Sequence, residues 1–532
     1  MARAADTVFM NGQVITVNDV DAVVSALAVR DGRIVFVGDE AGAADFAAGA
    51  GEIVDLGGRS LIPGFTDAHE HLLMRGQNEL GLDCRFPGVR SVEDIKAKVA
   101  ERARITPKGG WIRGWGYDHS KLAEGRHPDR FDLDAAAPEH KVLIQRVCCH
   151  IAACNSRALE YAGRPDGAGE AAGGFAGQGN GVMFEEACAK LVNLARPSPG
   201  EMEESLALVN DLLLREGITC CHDAGGYGAL SMRALQEAVE RDKLKARIVA
   251  MVFSLIGGNS GFIDACVDSG LRSGFGNGRL KLGPIKIMID GSSSGPTAAT
   301  LEGYAVDPDN HGLLNLTREY IEETTQKVHV AGWQMTAHAV GDKAVTMFAD
   351  ALEKAMKAQP RADCRHRIEH CAMAGPEMIR RIRRLGVVPV AQPVFLYEFG
   401  DGYLRNYGEK RGGNMFPCAS MLKAGIPVAG SSDCPVTFSN PLLGMHVAVN
   451  RETQSGRLVG PEERVTTAQA LRMFTWNAAY ASFDERLRGS LETGKLADLA
   501  VLSEPLLDVP AQKIRDVRVD MTFVGGEKVF ER

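Results

Sequence analysis

Short apolar segments alternate with helical segments through the middle of the chain. Residues 341–359 predict a helix, because Val345, Phe348 and Leu352 recur at helical spacing. Strands that alternate with helices are typical of βα units around a parallel sheet. The pattern therefore predicts an α/β protein with a closed (β/α)8 TIM barrel. Its eight strands are expected at 64–69, 218–224, 247–253, 284–290, 334–338, 367–370, 387–392 and 427–433.

Both ends of the chain show strand-like alternation instead. The segments DTVFMNGQVITV and ALAVRDGRIVFVG place apolar residues on both sides of an Asn-Gly or Asp-Gly pair, which predicts two hairpins. Near the other end, VRVDMTFVGGEKVF alternates before a Gly-Gly turn. Neither end alone has enough strands to bury a face. We therefore expect residues 1–60 and 485–532 to form one small β domain, beside a barrel domain at 61–484.

The regular spacing of the barrel strands is interrupted once, by about residues 75–205 after the first strand. Because catalysis in such barrels takes place on the loops that follow the strands, this insertion is the expected location of substrate specificity. Within it, the glycine-rich segment DGAGEAAGGFAGQGNG (166–181) fits two interpretations, a mobile lid or a flexible surface loop. Both stay open at this point.

Composition narrows the classes of protein that fit. The 532 residues include 60 Lys and Arg against 68 Asp and Glu, a net charge of −8, and 45% of them are hydrophobic. This balance excludes a disordered chain and a basic nucleic-acid binder. The chain has no apolar run of the ~18 residues that a membrane span needs, and it does not begin with a signal peptide. We expect no membrane partner and a cytoplasmic location.

The first barrel strand ends in His69-Glu70-His71. Residues two apart in a strand share a face, so the two imidazoles are expected to point the same way. Two neutral imidazoles on one face can bind a borderline metal ion. Such pairs also occur by chance. Their significance increases because four later strands also end, or nearly end, in residues of ligand type: Lys286, His338, His370 and Asp433.

Lys286 is the unusual member of this set, because it lies in an otherwise apolar strand. A barrel interior is normally filled by aliphatic side chains, and an unpaired charge there is destabilising. Two alternatives follow. Lys286 either forms a buried salt bridge, for example with Asp290, or is a functional lysine with a lowered pKa.

Several motifs occur together and in order: PGFTDAHEHL, IKIMIDGS, HAVGD, RIEHC, GSSDCP and GSLETGKLADLAVL. In combination they resemble the amidohydrolase superfamily, specifically its amidohydrolase-3-like branch, which includes N-substituted formamide deformylases. The resemblance covers nearly the whole chain. It implies a (β/α)8 barrel with an appended β-sandwich made from both termini, which agrees with the partition above.

The resemblance also implies a role for each ligand-type residue. His69 and His71 would hold one metal ion, and His338 and His370 a second. Lys286, carboxylated by carbon dioxide, would bridge the two. Asp433 would bind the first ion and act as the base. The implied activity is hydrolysis of a non-peptide amide or formamide C–N bond by a metal-activated hydroxide. Zn2+ is the expected ion, with Mn2+ or Fe2+ as alternatives, and the count of one or two ions stays open.

Two further segments resemble the substrate side of this branch. WIRGWGYDHSKLAEGRHPDRFDLD makes Trp115, Tyr117 and Asp118 candidates for the substrate pocket, and for the tryptophan a position in the core is an equal alternative. In VCCHIAACNSRAL, His150 and Asn155 would polarise the scissile carbonyl or fix the substrate. The resemblance further implies a small-molecule, amide-type substrate and suggests a homodimer.

Two other classes of function deserve comparison. GSSSG (291–295) matches a serine-hydrolase nucleophile elbow around Ser293, and Asp433 and His446 follow in the order Ser, Asp, His. Against this, an elbow must continue directly into a helix, and Pro296 begins a loop-like segment. The third class is a catalytically silent barrel that serves as a scaffold. All six ligand positions are filled, which argues against lost chemistry.

Overall fold

The computed structural model of the chain describes residues 4–147, 151–163, 179–255 and 259–532. Two compact units are present. The first consists of Met1–Leu72, Asn210–Phe253 and Asn259–Arg532, and the second is built mainly from Leu73–Val209. The second unit covers the segment expected as an insertion at about 75–205.

The first unit contains the (β/α)8 barrel, which confirms the predicted fold class. Eight parallel strands are hydrogen-bonded to their neighbours in chain order. At the two ends of this series, the N–H of Asp433 donates to the carbonyl oxygen of His69 (2.8 Å), so the loop after the last strand meets the first strand. The strands are Phe65–Glu70, Ile218–Asp223, Arg247–Val252, Leu280–Met288, Met335–Ala339, Arg367–His370, Val388–Ala391 and Ala429–Gly430.

Helices separate these strands. The predicted helix is present as Asp342–Ala358, and it buries Val345, Phe348 and Leu352. Helix Pro199–Arg215 has residues in both units and precedes the second barrel strand. The other α-helices of the first unit are Glu40–Ala47, Ala229–Glu240, Asn259–Asp268, Arg318–Val330, Pro376–Leu385, Val394–Gly413, Cys418–Lys423, Pro441–Asn450, Thr467–Met473 and Trp476–Tyr480, and the 3-10 turns are Pro461–Glu463 and Ala511–Asp516.

Both termini contribute strands to the β domain of the first unit. Two sheets enclose a common core in which the rings of Phe9 and Phe523 pack edge to face at 5.1 Å. The six-stranded sheet has the order Glu527–Glu531, Val519–Val524, Leu499–Leu502, Ser60–Pro63, Gln13–Ile15, Val23–Val24. The four-stranded sheet has the order Arg33–Gly38, Ala26–Arg30, Thr7–Met10, Glu52–Asp55.

Two of the predicted terminal hairpins are confirmed. Strands Ala26–Arg30 and Arg33–Gly38 pair in antiparallel fashion. Both residues of the intervening Asp31-Gly32 pair have positive φ (50° and 71°), as a type I′ turn requires. The Gly-Gly pair at 525–526 likewise has φ of 56° and 78° and joins the last two strands.

The hairpin predicted around Asn11-Gly12 is wrong. The strand before it, Thr7–Met10, belongs to the four-stranded sheet, and the strand after it, Gln13–Ile15, belongs to the six-stranded sheet. Only Asn11 has a positive φ (58°), so the pair lacks type I′ geometry. A Cβ atom at Gly12 would lie 2.4 Å from Cβ of Leu56, so glycine is needed here for a close approach.

The second unit has a sheet of its own, with strands in the order Val182–Phe184, Ile151–Cys154, Lys141–Arg146, Trp111–Tyr117, Leu82–Asp83. Its helices are Leu72–Leu80, which begins at the last residue of the first unit, Val92–Ala103, Arg130–Ala136, Ser156–Tyr161 and Glu185–Leu194, with a 3-10 turn at His119–Lys121. Most of the glycine-rich segment 166–181, the candidate lid, lies outside the described residues. Among the helices in the described ranges, none combines the length and apolarity that crossing a bilayer requires.

Candidate metal centre

Two histidines lie at the carboxyl end of the first barrel strand. His69 is fully buried within strand Phe65–Glu70, and His71 follows the strand and is partly buried. The centroids of their rings are 5.5 Å apart. The spacing of two residues therefore places both imidazoles in one cluster.

Asp433 joins these two histidines from the loop after the last strand. Its Oδ1 atom lies 3.3 Å from Nε2 of His69 and 3.4 Å from Nε2 of His71. Burial opposes ionisation of this carboxyl, but the two neighbouring histidines outweigh it and hold the pKa of Asp433 well below its usual range. One carboxylate oxygen and two imidazole nitrogens thus form a cluster of the kind that holds a metal ion.

The fifth and sixth strands bring two more imidazoles to the same place. The ring centroid of His370 lies 4.4 Å from that of His338 and 5.2 Å from that of His69. Burial is the main cause that lowers the pKa of His370 to about 4, and it places the pKa of His338 well below its ordinary value. Both rings are therefore neutral at pH 7, which is the form that binds a metal.

His370 reaches this cluster because the backbone changes conformation there. Glu369 and His370 are adjacent, so a regular strand would direct them to opposite faces. His370 instead has a φ of 72°, in the left-handed region that is uncommon outside glycine. Both side chains consequently contact His69. Asp433 has a φ of 59°, and strain of this kind is typical of functional sites.

Lys286 lies among the same residues. Its side chain is buried, with Nζ 3.2 Å from Nε2 of His69 and 5.0 Å from the ring centroid of Phe253. Burial lowers the pKa of Lys286. In the described part of the chain it forms no salt bridge with Asp290, whose carboxylate accepts backbone N–H bonds instead. The donors are Ala299, Val340 and Gly341. Of the two alternatives from the sequence, this arrangement favours the functional lysine.

Each of the four histidines directs one ring nitrogen at a protein acceptor. The pairs are His69 Nδ1 with Glu369 Oε2 (2.5 Å), His71 Nδ1 with the carbonyl of Gly225 (2.7 Å), His338 Nε2 with the carbonyl of Gly291 (3.0 Å) and His370 Nδ1 with Gln392 Oε1 (2.8 Å). An oxygen acceptor fixes a proton on the nitrogen that faces it. The other nitrogen of each ring is left with a lone pair, as in histidines that ligate metals. The donor set therefore fits a divalent ion.

Trp115 and Tyr117 lie in the second unit, in strand Trp111–Tyr117. The indole nitrogen of Trp115 donates to the carbonyl of Asn78 (2.8 Å). The buried hydroxyl of Tyr117 is 2.9 Å from Nδ1 of His127. These contacts hold the unit together, and a role of either residue toward substrate stays a prediction.

The same unit holds the other predicted substrate residues. Asp118 pairs with Arg146 at 2.9 Å. Asn155 caps helix Ser156–Tyr161. Among the described residues, its side-chain amide forms hydrogen bonds only with backbone groups. Its partners are the N–H groups of Val142 and Ala158 and the carbonyls of Ala137 and His140. These bonds give Asn155 a structural role, and its contact with substrate stays a prediction. His150 lies outside the described residues.

Ser293 does not have the surroundings of a serine nucleophile. Its hydroxyl donates to the hydroxyl of Tyr403 at 3.0 Å. The segment after it continues as turns and loops until helix Arg318–Val330, whereas an elbow needs a helix immediately. His446 lies in another helix, where Asn450 donates to its Nδ1 atom, and Asp433 lies beside His69 and His71. The serine-hydrolase alternative is therefore not supported.

A second buried group, His329, Cys364 and His366, also has donor atoms close together. Nδ1 of His366 accepts the N–H of Met335 (2.9 Å), so a neutral His366 carries its proton on Nε2. That proton faces Nδ1 of His329 at 2.9 Å, and Nε2 of His329 faces the carbonyl of Gln359 at 2.8 Å. Binding a metal would require His366 to lose this proton. The group is a hydrogen-bonded chain of neutral rings.

The sequence pattern did not indicate the residues that orient the candidate metal ligands. Glu369 and Gln392 accept from two of the histidines, and Arg367 pairs with Glu369 through Nε (2.8 Å) and Nη2 (2.9 Å). A signal was present in RIEH, because an arginine and a glutamate two apart in a buried strand share one face. Gln392 and the carbonyl acceptors gave no comparable signal.

The chain is similar to known hydrolases over most of its length. The model of the amidohydrolase family matches residues 52–530. N-substituted formamide deformylase of Arthrobacter pascens is 29% identical over 100% of this chain and 99% of its own length. The putative amidohydrolase YtcJ of Bacillus subtilis is 29% identical over 90% of this chain and 91% of its own.

Among solved structures, an uncharacterized metal-dependent hydrolase from Pyrococcus horikoshii superposes with a TM-score of 0.81. It is 26% identical, and the match covers 95% of this chain and 99% of that one. Fold and site thus define a barrel enzyme of the metal-dependent hydrolase class. The chain belongs to the amidohydrolase family.

Proposed function

We propose that the protein hydrolyses the C–N bond of a non-peptide amide, with an N-substituted formamide as the first substrate class to test. The observation that carries the proposal is the convergence of six side chains from five strand ends on one point. Family membership and the relative named N-substituted formamide deformylase support a C–N bond as the target.

The ligands are assigned from the nitrogens that carry lone pairs. His69 and His71, with Asp433, would hold one divalent ion through Nε2 atoms and a carboxylate oxygen. His338 and His370 would hold a second through Nδ1 and Nε2, respectively, because their other nitrogens already donate to oxygen acceptors. Imidazole and carboxylate ligands suit Zn2+, which we propose as the ion, with Mn2+ and Fe2+ as alternatives.

Lys286 would bridge the two positions as a carbamate. Its neutral amine attacks carbon dioxide, forms an N–C bond and releases one proton. The product is an anion with two oxygens in place of a buried cation. Burial lowers the pKa of Lys286 and so increases the neutral fraction that can react.

When bound, divalent ions supply Lewis acidity that lowers the pKa of water from 15.7 towards about 7. The side chains of the protein then move the protons. Asp433 is ionised and would accept a proton from the attacking water. It would return this proton to the nitrogen that departs, since an amine leaves poorly without one. A formamide and water thus give formate and an amine.

The experiment that tests this function is a screen with matched N-formyl, N-acetyl and cyclic amides, read as formate, acetate or amine released. We expect turnover of at least one N-formyl compound, abolished by a chelator and restored by Zn2+ or Mn2+. Turnover that survives chelation and is lost with a serine-directed phosphonate would instead identify Ser293 as the nucleophile. The predicted substrate contacts stay predictions for Trp115, Tyr117, Asp118, His150 and Asn155. A cytoplasmic location and a homodimer are likewise proposals.

A further inference from the structure

One of the four histidines differs from the others in what lies behind its ring. Glu369 accepts from Nδ1 of His69 (2.5 Å), from the hydroxyl of Thr336 (2.6 Å) and from Nε and Nη2 of Arg367 (2.8 and 2.9 Å). All four residues are fully buried. Four donors therefore converge on one carboxylate in the barrel interior.

This set of contacts fixes where the proton lies. A guanidinium only donates and stays protonated in proteins, so the carboxylate of Glu369 acts only as an acceptor. The proton shared with His69 consequently lies on Nδ1 of that ring. The lone pair on Nε2 then faces Lys286 and Asp433.

The charge of the acceptor distinguishes His69 from the other three. His71 and His338 donate to backbone carbonyls, and His370 donates to the amide oxygen of Gln392. These acceptors are neutral. A carboxylate oxygen of Asp290 also lies 3.6 Å from Nε2 of His338, beyond hydrogen-bond distance, whereas Glu369 carries a full negative charge 2.5 Å from Nδ1 of His69. A carboxylate behind a metal-binding imidazole raises the basicity of the ligating nitrogen. A bond to an ionised acceptor is also roughly twice as strong as one to a neutral acceptor.

Arg367 holds this charge in position. Its Nη2 also donates to the carbonyl of Ala68 (2.7 Å), one residue before His69, and its Nη1 donates to Nδ1 of His222 (3.0 Å). His222 is fully buried. Within the described residues its Nε2 has no hydrogen-bond partner. A continuous series of hydrogen bonds therefore leads from His222 through Arg367 and Glu369 to His69.

We infer that Glu369 and Arg367 are positioning residues that make the His69–His71–Asp433 position bind its metal ion more tightly than the His338–His370 position. This inference rests on the two-ion assignment of the proposed function. If the protein holds a single ion, the inference places it with His69.

The first test uses two variants and a control. Glu369→Gln keeps the size of the side chain and removes its charge. Because it leaves Arg367 buried without a partner, that protein can fail to fold. The double variant Arg367→Met/Glu369→Gln removes both charges and avoids this. Thr336→Val removes one hydrogen bond to Glu369 and keeps the ion pair, so it is the matched control.

The measurement is a competition titration of the metal-stripped full-length protein with Zn2+ and a chelating indicator. We expect two dissociation constants for the unmodified protein. The smaller dissociation constant should increase by about 10- to 100-fold in the folded charge-removing variants. In Thr336→Val it should increase by no more than about threefold. A folded double variant with an unchanged tighter constant would overturn the inference, since the ion pair would then be merely structural.

A second measurement keeps the inference testable if neither charge variant folds. His338→Asn should retain the smaller of the two dissociation constants, and His71→Asn should retain only the larger one. Equal constants in these two proteins, or the reverse order, would overturn the inference while leaving the metal centre in place. Absence of Zn2+ binding by the unmodified protein would instead overturn the proposed function, and this inference with it.

Discussion

The Nζ atom of Lys286 lies 3.2 Å from Nε2 of His69, although 217 positions separate the two residues along the chain. Both side chains are buried, and both point into the space that His71, His370 and Asp433 share. Burial makes a cationic lysine costly in this position, and the carboxylates of Glu369 and Asp433 offset only part of that cost. The proposed carbamate would make Lys286 an anionic ligand, and this proposal would account for a lysine in an otherwise apolar strand.

Replacing Lys286 by Ala should therefore remove at least one metal ion per chain. The expected reason is loss of the bridging carbamate, and the measurement is metal content by plasma mass spectrometry after gel filtration. High bicarbonate during expression should raise the metal content of the unmodified protein and have no effect on the variant.

Lys281 provides the matched control, because it lies in the same strand and pairs with Asp484 instead. Lys281→Ala should lower stability and keep the full metal content. Full metal content in Lys286→Ala as well would show that the bridge is absent and that a single-metal site is the better description.

Asp433→Asn should reduce kcat by at least about 100-fold, because the amide cannot accept and return the proton. The side chain keeps its size, so the fold is expected to persist. Steady-state kinetics on the substrate found in the amide screen, together with circular dichroism, measure both effects.

Asp67→Asn is the comparison for that variant. Burial, with the nearby charge of Glu70 next in effect, raises the pKa of Asp67 well above its usual range and so favours the neutral form of this carboxyl. Its amide counterpart should reduce kcat far less than Asp433→Asn does. Similar losses in the two variants would mean that the charge of Asp433 has no special role.

The hydrogen-bonded neutral rings of His329 and His366 predict that the protein becomes less stable in acid. Burial, with His329 next in effect, lowers the pKa of His366 to about 3, whereas an unfolded histidine has a pKa near 6.5. Below pH 6.5 the unfolded state binds more protons than the folded state. The stabilising contribution is therefore complete above pH 6.5 and is lost as the pH falls towards 3, by up to about 1.4 kcal/mol per pH unit.

Urea unfolding at pH 7 and pH 5 tests this expectation. His366→Asn should be less stable at pH 7, but its free energy of unfolding should fall less steeply between the two values. His311→Asn, at an exposed position, should retain the slope of the unmodified protein. Equal slopes in all three proteins would remove His366 as the source of acid sensitivity.

Much of the fold could be predicted, because its signals are local. Eight apolar segments and their spacing indicated the barrel, and Asp31-Gly32 indicated a hairpin that the structure contains. The same signal failed at Asn11-Gly12, because the strands that flank it find their partners in different sheets. Pairing with distant strands is not encoded in the turn itself.

Residues of the candidate site could be predicted only where their type is unusual for their position in the sequence. Lys286 attracted attention because a charge is rare in a buried strand, and His69 and His71 because of their spacing. The acceptors behind the rings were not predictable, because two are backbone carbonyls at Gly225 and Gly291. Any residue type provides such a carbonyl, so only the folded backbone reveals it.

The central claim is that residues from distant strand ends jointly bind divalent ions. Its most direct test is the metal content per chain of the purified protein and of the double variant His69→Asn/His370→Asn. We predict at least one Zn2+, Mn2+ or Fe2+ per chain in the first and none in the second, with both proteins folded. A folded double variant that retains the full metal content, or an unmodified protein that hydrolyses its substrate without metal, would contradict the account.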